Sequence, residues 1–355
     1  MDLKVTALCR KIRQNGLWTR WDEAPALGCL LVGGPDAGAF LQAQLTSDVA
    51  ALQPGQQQMS ARVDRKGLLL AWFSLCRLPE RGRPHPVFML VLPRELITLV
   101  QSSLESFIIT EEVFLEDASG QYSGMIISGD QIESMPLQNI LNFPSQLTGD
   151  SERLLLWPNN TNSDSLHTKV SDWALKHRLV HLDSSLQATQ AWNSLQLEAG
   201  WPRLGHDLDP GSTVLIQTGL ERQVVSITKG CYLGQEILAR IRSYGSVKMA
   251  MRGLVFMNPA GHDALPESGD EICTDNGQII GKFGTNTYSS IWDAPVALAF
   301  LDRDHRTPGR ELDLKTALGS LEAKVIMLPF YEAGSPAEKA RSLYERAVHL
   351  FSLGK

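Results

Sequence analysis

The run Thr228-Lys229-Gly230-Cys231-Tyr232-Leu233-Gly234-Gln235-Glu236 puts a thiol, an ammonium, a phenol and two polar acceptors into one short stretch. The residues that follow, Ile237, Leu238, Ala239, Arg240 and Ile241, favour a helix with an apolar stripe. The two glycines allow a tight path into that helix. A thiol near a helix N-terminus and beside a lysine is biased towards the thiolate. Cys231 and Lys229 are therefore the candidate reactive pair. Cys231 equally suits the commoner fate of a free cysteine, a small buried hydrophobe. To position the pair, the chain must supply a turn, a helix and a packed surface for that helix's apolar side.

Lys229-Gly230-Cys231-Tyr232-x-Gly234-Gln235-Glu236 resembles the signature of the YgfZ family, folate-binding proteins related to the T-protein of the glycine cleavage system. Further segments match in order. Leu197-Glu198-Ala199-Gly200-Trp201-Pro202 is similar to the family's Ile-Glu-Ala-Gly-x-Pro, and Gln217-Thr218-Gly219-Leu220 lies where a similar loop precedes the cysteine. Gln42-Ala43-Gln44-Leu45-Thr46-Ser47-Asp48-Val49 resembles Gln-Gly-Gln-x-Thr-x-Asp-Val, and Asp64-Arg65-Lys66-Gly67 stands in the place of a Lys-Gly turn. An ordered set is far more specific than one cysteine turn.

The resemblance implies an α+β, T-protein-like arrangement of two mixed α/β domains and a C-terminal β-barrel around a central folate pocket. It implies tetrahydrofolate as cofactor, and iron–sulfur assembly factors or client iron–sulfur enzymes as partners, with tRNA modification among the processes served. Glu198 is the candidate carboxylate for the pterin ring edge, because the related Glu-x-Gly segment of T-proteins faces the pterin. Most glutamates near a helix end are instead solvated. Tyr232 is a candidate ring wall or hydroxyl contact, and a core tyrosine with one satisfied bond is equally ordinary. Gln235, Glu236 and Arg240 complete the candidate cofactor-binding set. Gln235 and Glu236 also suit a helix's first turn, and Arg240 a surface or interdomain salt bridge.

One departure bears on function. T-proteins carry an Asp-Asp pair after a Gly-Gly turn, and an aspartate there assists aminomethyl transfer. Here Gly67 is followed by Leu68, Leu69, Leu70 and Ala71, with no carboxylate for proton transfer or for an iminium-like centre. The expectation is a folate-binding accessory protein for iron–sulfur cluster assembly or repair, with Cys231 as its functional thiol. Three alternatives stand beside it: a folate-dependent one-carbon transferase using another acid, a thiol enzyme, and a binding scaffold alone.

Periodicity places a helix over 36–45, strands over 59–63 and 68–75 around the Asp64–Gly67 turn, and a strand over 87–92. A helix starting at Pro93 runs to 106, and a strand follows over 107–115. Strands are expected over 122–128 and 153–157, with loop between them and over 159–165. A helix is expected over 184–199, and short barrel strands over 252–257, 271–274, 278–288, 296–302 and 321–328. Asp275-Asn276-Gly277 signals a tight hairpin among these. An amphipathic helix is expected over 336–351. The elements are compatible with the three-part arrangement that the resemblance implies and would not give it alone. On that resemblance the expected domains are 1–50 with 121–245 (folate-binding, discontinuous), 51–120 (α+β) and 246–331 (barrel), followed by a C-terminal helix over 332–355.

Composition narrows the classes. Apolar residues at 43% and charged residues at 20% describe a folded globular chain, and 355 residues suffice for two or three cores. A net charge of -6 argues against a nucleic-acid binder held by bulk charge. The five cysteines form no CxxC pair and no zinc spacing, and His177, His181, His206 and His262 do not cluster, so no metal site is expected within the chain. The longest apolar run, 68–76, is too short to cross a bilayer. The basic start (Lys4, Arg10, Lys11, Arg13, Arg20) reads as an amphipathic first helix rather than a transit leader, and the expected location is the cytoplasm.

Overall fold

Alternating apolar strands and helix-period segments set up the elements of a computed structural model. It describes residues 3–330 apart from 81, 130–131, 133–134, 136–139, 146, 149–151, 160–162, 245–246, 258–264 and 317–318. The chain opens with α1 (Leu3–Asn15), β1 (Leu17–Arg20), β2 (Leu27–Gly33), α2 (Ala37–Gln44), β3 (Gln57–Val63), β4 (Leu69–Arg77) and β5 (Val87–Pro93). It continues through α3 (Ile97–Glu105), β6 (Phe114–Asp117), β7 (Tyr122–Ser128), β8 (Leu141–Ser145), β9 (Glu152–Pro158), α4 (Ser163–Lys176) and β10 (Val180–His181). Then come α5 (Leu186–Glu198), α6 (Glu221–Val224), α7 (Gln235–Tyr244), β11 (Met249–Phe256), β12 (Glu271–Thr274), β13 (Ile279–Ser289), β14 (Ala294–Asp302), β15 (Glu311–Thr316) and β16 (Gly319–Ile326).

Three sheets result. One is mixed, in the order β10-β1-β7-β9-β8, with β1 and β10 parallel. The second is antiparallel, β3-β4-β5-β2-β6, and the third is a closed six-stranded barrel, β11-β14-β13-β12-β15-β16. The α+β class with a C-terminal barrel is thus the observed fold. The boundary drawn at residue 50 falls inside the second sheet, because β2 pairs with β5 and β6.

Period-2 alternation decides which side of each sheet is buried against what. On β7 and β9, Met125, Ile127, Leu155 and Trp157 pack with Val170 and Ala174 of α4. The intervening Ile126, Leu154 and Leu156 face the main core with Val5, Cys9 and Ile12 of α1. In the barrel, Leu254, Phe256, Ala297, Ala299, Leu301, Leu312 and Leu314 fill the interior. Val296, Leu298 and Ile326 point the other way, into the main core, which welds the barrel to the rest.

Four local expectations need correction. Of 107–115 only the end is strand: Phe107 and Ile108 close turns onto Leu104 and Glu105, and the Glu111 carboxylate accepts the Ile109 and Thr110 N–H groups. The expected loop after Ser128 contains β8, an edge strand of the first sheet, where Pro144 is tolerated because an edge leaves N–H positions unpaired. The loop expected over 159–165 gives way to α4 at Ser163. β15 was missed, although Leu312 and Leu314 alternate with charged residues. The helix expected over 336–351 lies outside the described residues.

Candidate functional site

Helix α2 ends at Gln44, and the carbonyls of a helix's last turn lack intrahelical donors. Two buried cations supply them. Lys229, 7% exposed, donates from Nζ to the carbonyls of Gln42 (2.6 Å), Leu45 (2.8 Å) and Ser47 (2.8 Å). Arg62 of β3 donates from Nη1 to the Gln44 carbonyl and Oε1, both at 2.8 Å, and from Nε and Nη2 to Ser103. Positive charge at this end also meets the negative end of the helix dipole. Burial pulls Lys229 down to about 8 while Asp48 pulls it back up, so it stays protonated at neutral pH. Burial likewise pulls Arg62 down to about 10.

The rest of the 42–48 segment is stitched in the same way. Gln42 Oε1 accepts the N–H groups of Val49 and Ala50, and Thr46 Oγ1 accepts from Ala61 N and donates to the Val224 carbonyl. Backbone bonds from Ser226 to Thr46 and from Leu233 to Ala43 bring the cysteine turn against this segment. Lys229 therefore anchors the two signature segments to each other, and its three ammonium protons point at carbonyls rather than at the thiol. Its Nζ sits 5.0 Å from the centre of the Tyr232 ring, which is buried beneath it. Burial pushes the Tyr232 phenol up.

Gly234 explains how the turn meets the hairpin of β3 and β4. It has φ +80°, and a Cβ there would lie 2.5 Å from the Asp64 carbonyl oxygen. Gly67, with φ +74°, faces Leu238 in the same contact. Asp64 Oδ1 accepts from the N–H groups of Lys66 and Leu68, which commits it to the turn. The hairpin then leads through Leu68, which bridges to Val214, into β4, where Leu69 and Ala71 are buried.

Cys231 is exposed and precedes the first helical residue, Gln235, by four positions, so it lies outside the first turn of α7. Gln235 and Glu236 occupy that first turn, with Glu236 exposed, and Arg240 is exposed on the same helix. Cys9, Cys29 and Cys76 are buried. Burial pushes Cys9 and Cys29 up to about 12 and Cys76 further still. At pH 7.5, brief iodoacetamide treatment of the native protein is expected to modify Cys231 well before these three, by peptide mass mapping. Equal labelling of Cys9 would contradict the packing of α1 on α5.

Glu198 is the other candidate centre. α5 starts at an N-cap, where Ser185 Oγ accepts from Ala188 N, and ends at Glu198. A carboxylate at a helix C-terminus opposes the dipole, and this one is 1% exposed. It is held by donors from two other elements. Oε2 pairs with Arg13 Nη2 of α1 at 2.7 Å, and Oε1 accepts from Ser289 Oγ (2.6 Å) and Ser290 N (3.0 Å) at the end of β13. Glu198 thus joins α1, α5 and the barrel. Neither Arg13 nor Arg62 was among the expected site residues. Arg62 was detectable as a charge inside an otherwise buried strand. Arg13 had only its place in the basic first helix. Among the described residues no group of three His, Cys, Asp or Glu side chains could hold a metal ion, and no helix is long and apolar enough to cross a membrane.

Residues 252–332 match the family model described as the glycine cleavage T-protein C-terminal barrel domain, in agreement with the six-stranded barrel. The "tRNA-modifying protein YgfZ" of Photorhabdus laumondii is 27% identical over 276 residues, 73% of this chain and 76% of the relative. The chain is a relative of the YgfZ proteins. A second YgfZ, from Colwellia psychrerythraea, is 27% identical over 64% of this chain and 69% of its own. Beside these YgfZ proteins, a "probable aminomethyltransferase" of Natronomonas pharaonis is 24% identical over 86% of each chain. The crystal structure of aminomethyltransferase T from Bartonella henselae superposes with a TM-score of 0.74 over 92% of this chain and 90% of that one, at 19% identity. This YgfZ relative therefore has the T-protein fold.

Proposed function

We propose that this YgfZ relative is a cytoplasmic tetrahydrofolate-binding accessory protein that supports assembly or repair of iron–sulfur clusters in client enzymes. The observation that carries the reading is the Glu198 carboxylate, buried where α1, α5 and the barrel meet and already holding a guanidinium. A pterin presents a guanidine-like edge, so the donor chemistry of this carboxylate fits the group. The names and fold of the relatives agree with it. Glu198 would hold the ring edge, and Tyr232, Gln235, Glu236 and Arg240 are the further candidate contacts. Bound tetrahydrofolate would supply ring and side-chain nitrogens able to carry one-carbon units. Cys231, exposed and distinct from the buried Lys229 anchor, is the thiol offered to a partner, as one cluster ligand or as half of a mixed disulfide.

The strand residues after Gly67 favour this role over aminomethyl transfer, since Leu68 to Ala71 offer no acid and Asp64 is spent on its turn. Calorimetric titration with tetrahydrofolate is expected to show saturable binding that Glu198→Gln weakens at least tenfold and Cys231→Ser leaves unchanged. In a bacterial strain lacking its own YgfZ, the native chain should restore iron–sulfur enzyme activity and Cys231→Ser should not. No binding by the native chain, nor by a chain in which Arg13 is neutralised so that the carboxylate is free of its guanidinium, would sink the folate assignment. Turnover of an aminomethyl donor with tetrahydrofolate would replace the accessory role by that of a transferase, which the Natronomonas relative's name makes the reading to exclude.

A further inference from the structure

Glu198 accepts two hydrogen bonds on Oε1, from Ser289 and Ser290, and its Oε2 faces Arg13. A ring edge that donates to this carboxylate therefore has to use the oxygen that Arg13 now holds. The exposures order the two groups: Arg13 is 15% exposed and Glu198 1%, so solvent reaches the guanidinium more than the carboxylate it holds. Both candidate occupants present the same chemistry, a carbon bearing several nitrogens whose N–H groups donate to a carboxylate oxygen, here Oε2.

We propose that Arg13 is a built-in competitor for the pterin edge, and that folate binds Glu198 only by displacing the Arg13 side chain. This rests on the folate reading above. The displacement needs a side-chain swing and no movement of α1. Val5, Cys9 and Ile12 stay buried in the main core, and Cys9 Sγ stays 3.8 Å from the Ala191 carbonyl on α5. Arg10, one turn earlier, pairs separately with Asp293 on the barrel side and ties the helix down without touching Glu198. Affinity measured on the native chain is then the intrinsic affinity reduced by the fraction of time that Arg13 leaves the site vacant. The same exchange keeps a buried carboxylate from standing unpaired when no folate is present.

The test is calorimetry of 5-formyltetrahydrofolate, a stable reduced folate, against native protein, Arg13→Gln and Arg10→Gln, with folding checked by circular dichroism and thermal midpoint. Arg13→Gln should bind at least tenfold more tightly than native. Arg10→Gln should match native, since it loosens α1 without vacating Glu198. Millimolar methylguanidinium should compete with folate for Arg13→Gln and have little effect on native protein. If Arg13→Gln does not fold, Arg13→Lys replaces it, with a smaller gain expected because the ammonium is still a charged donor that competes for the carboxylate. Unchanged or weaker binding by the folded Arg13 variant, with the native chain binding, overturns the competitor role and leaves the folate reading standing. Binding by neither chain overturns both.

Discussion

Replacing Lys229 by methionine is expected to destabilise the protein by about 3 kcal/mol, more than removal of any exposed charge of the signature. The estimate follows from what remains behind. Three carbonyls, of Gln42, Leu45 and Ser47, lose their donor where the side chain is 7% exposed. Stranding a buried acceptor costs roughly 1–3 kcal/mol each, and no longer desolvating an ammonium offsets part of the sum. Lys229→Arg should not rescue, because a planar fork cannot reach three convergent carbonyls as a three-fold ammonium does. Urea unfolding with linear extrapolation measures the loss. Hydrogen exchange should also accelerate at Leu233 and Ser226, whose N–H groups bond into the 42–48 segment. A loss below about 1 kcal/mol would mean that water replaces the ammonium, and would return Lys229 to the list of residues kept for chemistry.

This result separates two roles that sequence proximity had merged. Lys229 stands two residues from Cys231, and proximity alone suggested that it tunes the thiol. Its acceptors lie 182 to 187 residues away in the chain, so nothing local could announce them. Segments whose periodicity is set by their own neighbours were legible: the hairpin of β3 and β4 around Asp64–Gly67, α2, and the barrel strands other than β15, with their Asp275-Asn276-Gly277 turn. α4 hid at its start, where Ser163, Asp164 and Ser165 continue a polar run that reads as loop, ahead of the residues that pack on the sheet, Leu166, Val170, Trp173 and Ala174. β8 hid because Pro144 argues against strand everywhere except at an edge. Glu198 was picked out by likeness to a family segment, but its meaning depended on Arg13 and Ser289, each of which looked ordinary alone. A buried carboxylate at the wrong end of a helix breaks a local rule, and such conflicts concentrate where function or assembly compensates them.

The Arg13–Glu198 pair is open to a double-mutant cycle whose singles should cost unequal amounts. Glu198→Ala leaves Ser290 N and Ser289 Oγ without their acceptor and removes the counter-charge of Arg13, and about 3–5 kcal/mol is expected for breaking a buried pair. Arg13 is the more exposed partner, and its guanidinium can turn towards water, which limits that figure to its lower part. Arg13→Met leaves the more deeply buried charge behind, still holding two hydrogen bonds from the end of β13, and about 2–3 kcal/mol is expected. The double substitution Arg13→Met with Glu198→Met removes both charges and restores apolar volume, so it should be more stable than the sum of the singles by at least about 1.5 kcal/mol. Chemical unfolding of the four proteins gives that coupling directly. A coupling near zero would mean that Ser289 and Ser290 alone hold the carboxylate and that Arg13 is a bystander. Exchange with a ligand's guanidine-like edge would then have no resident partner to displace. A large coupling, together with tighter folate binding when Arg13 is neutralised, would show one pair serving both purposes. The guanidinium that secures α1 against α5 would be the group that a bound ring edge replaces.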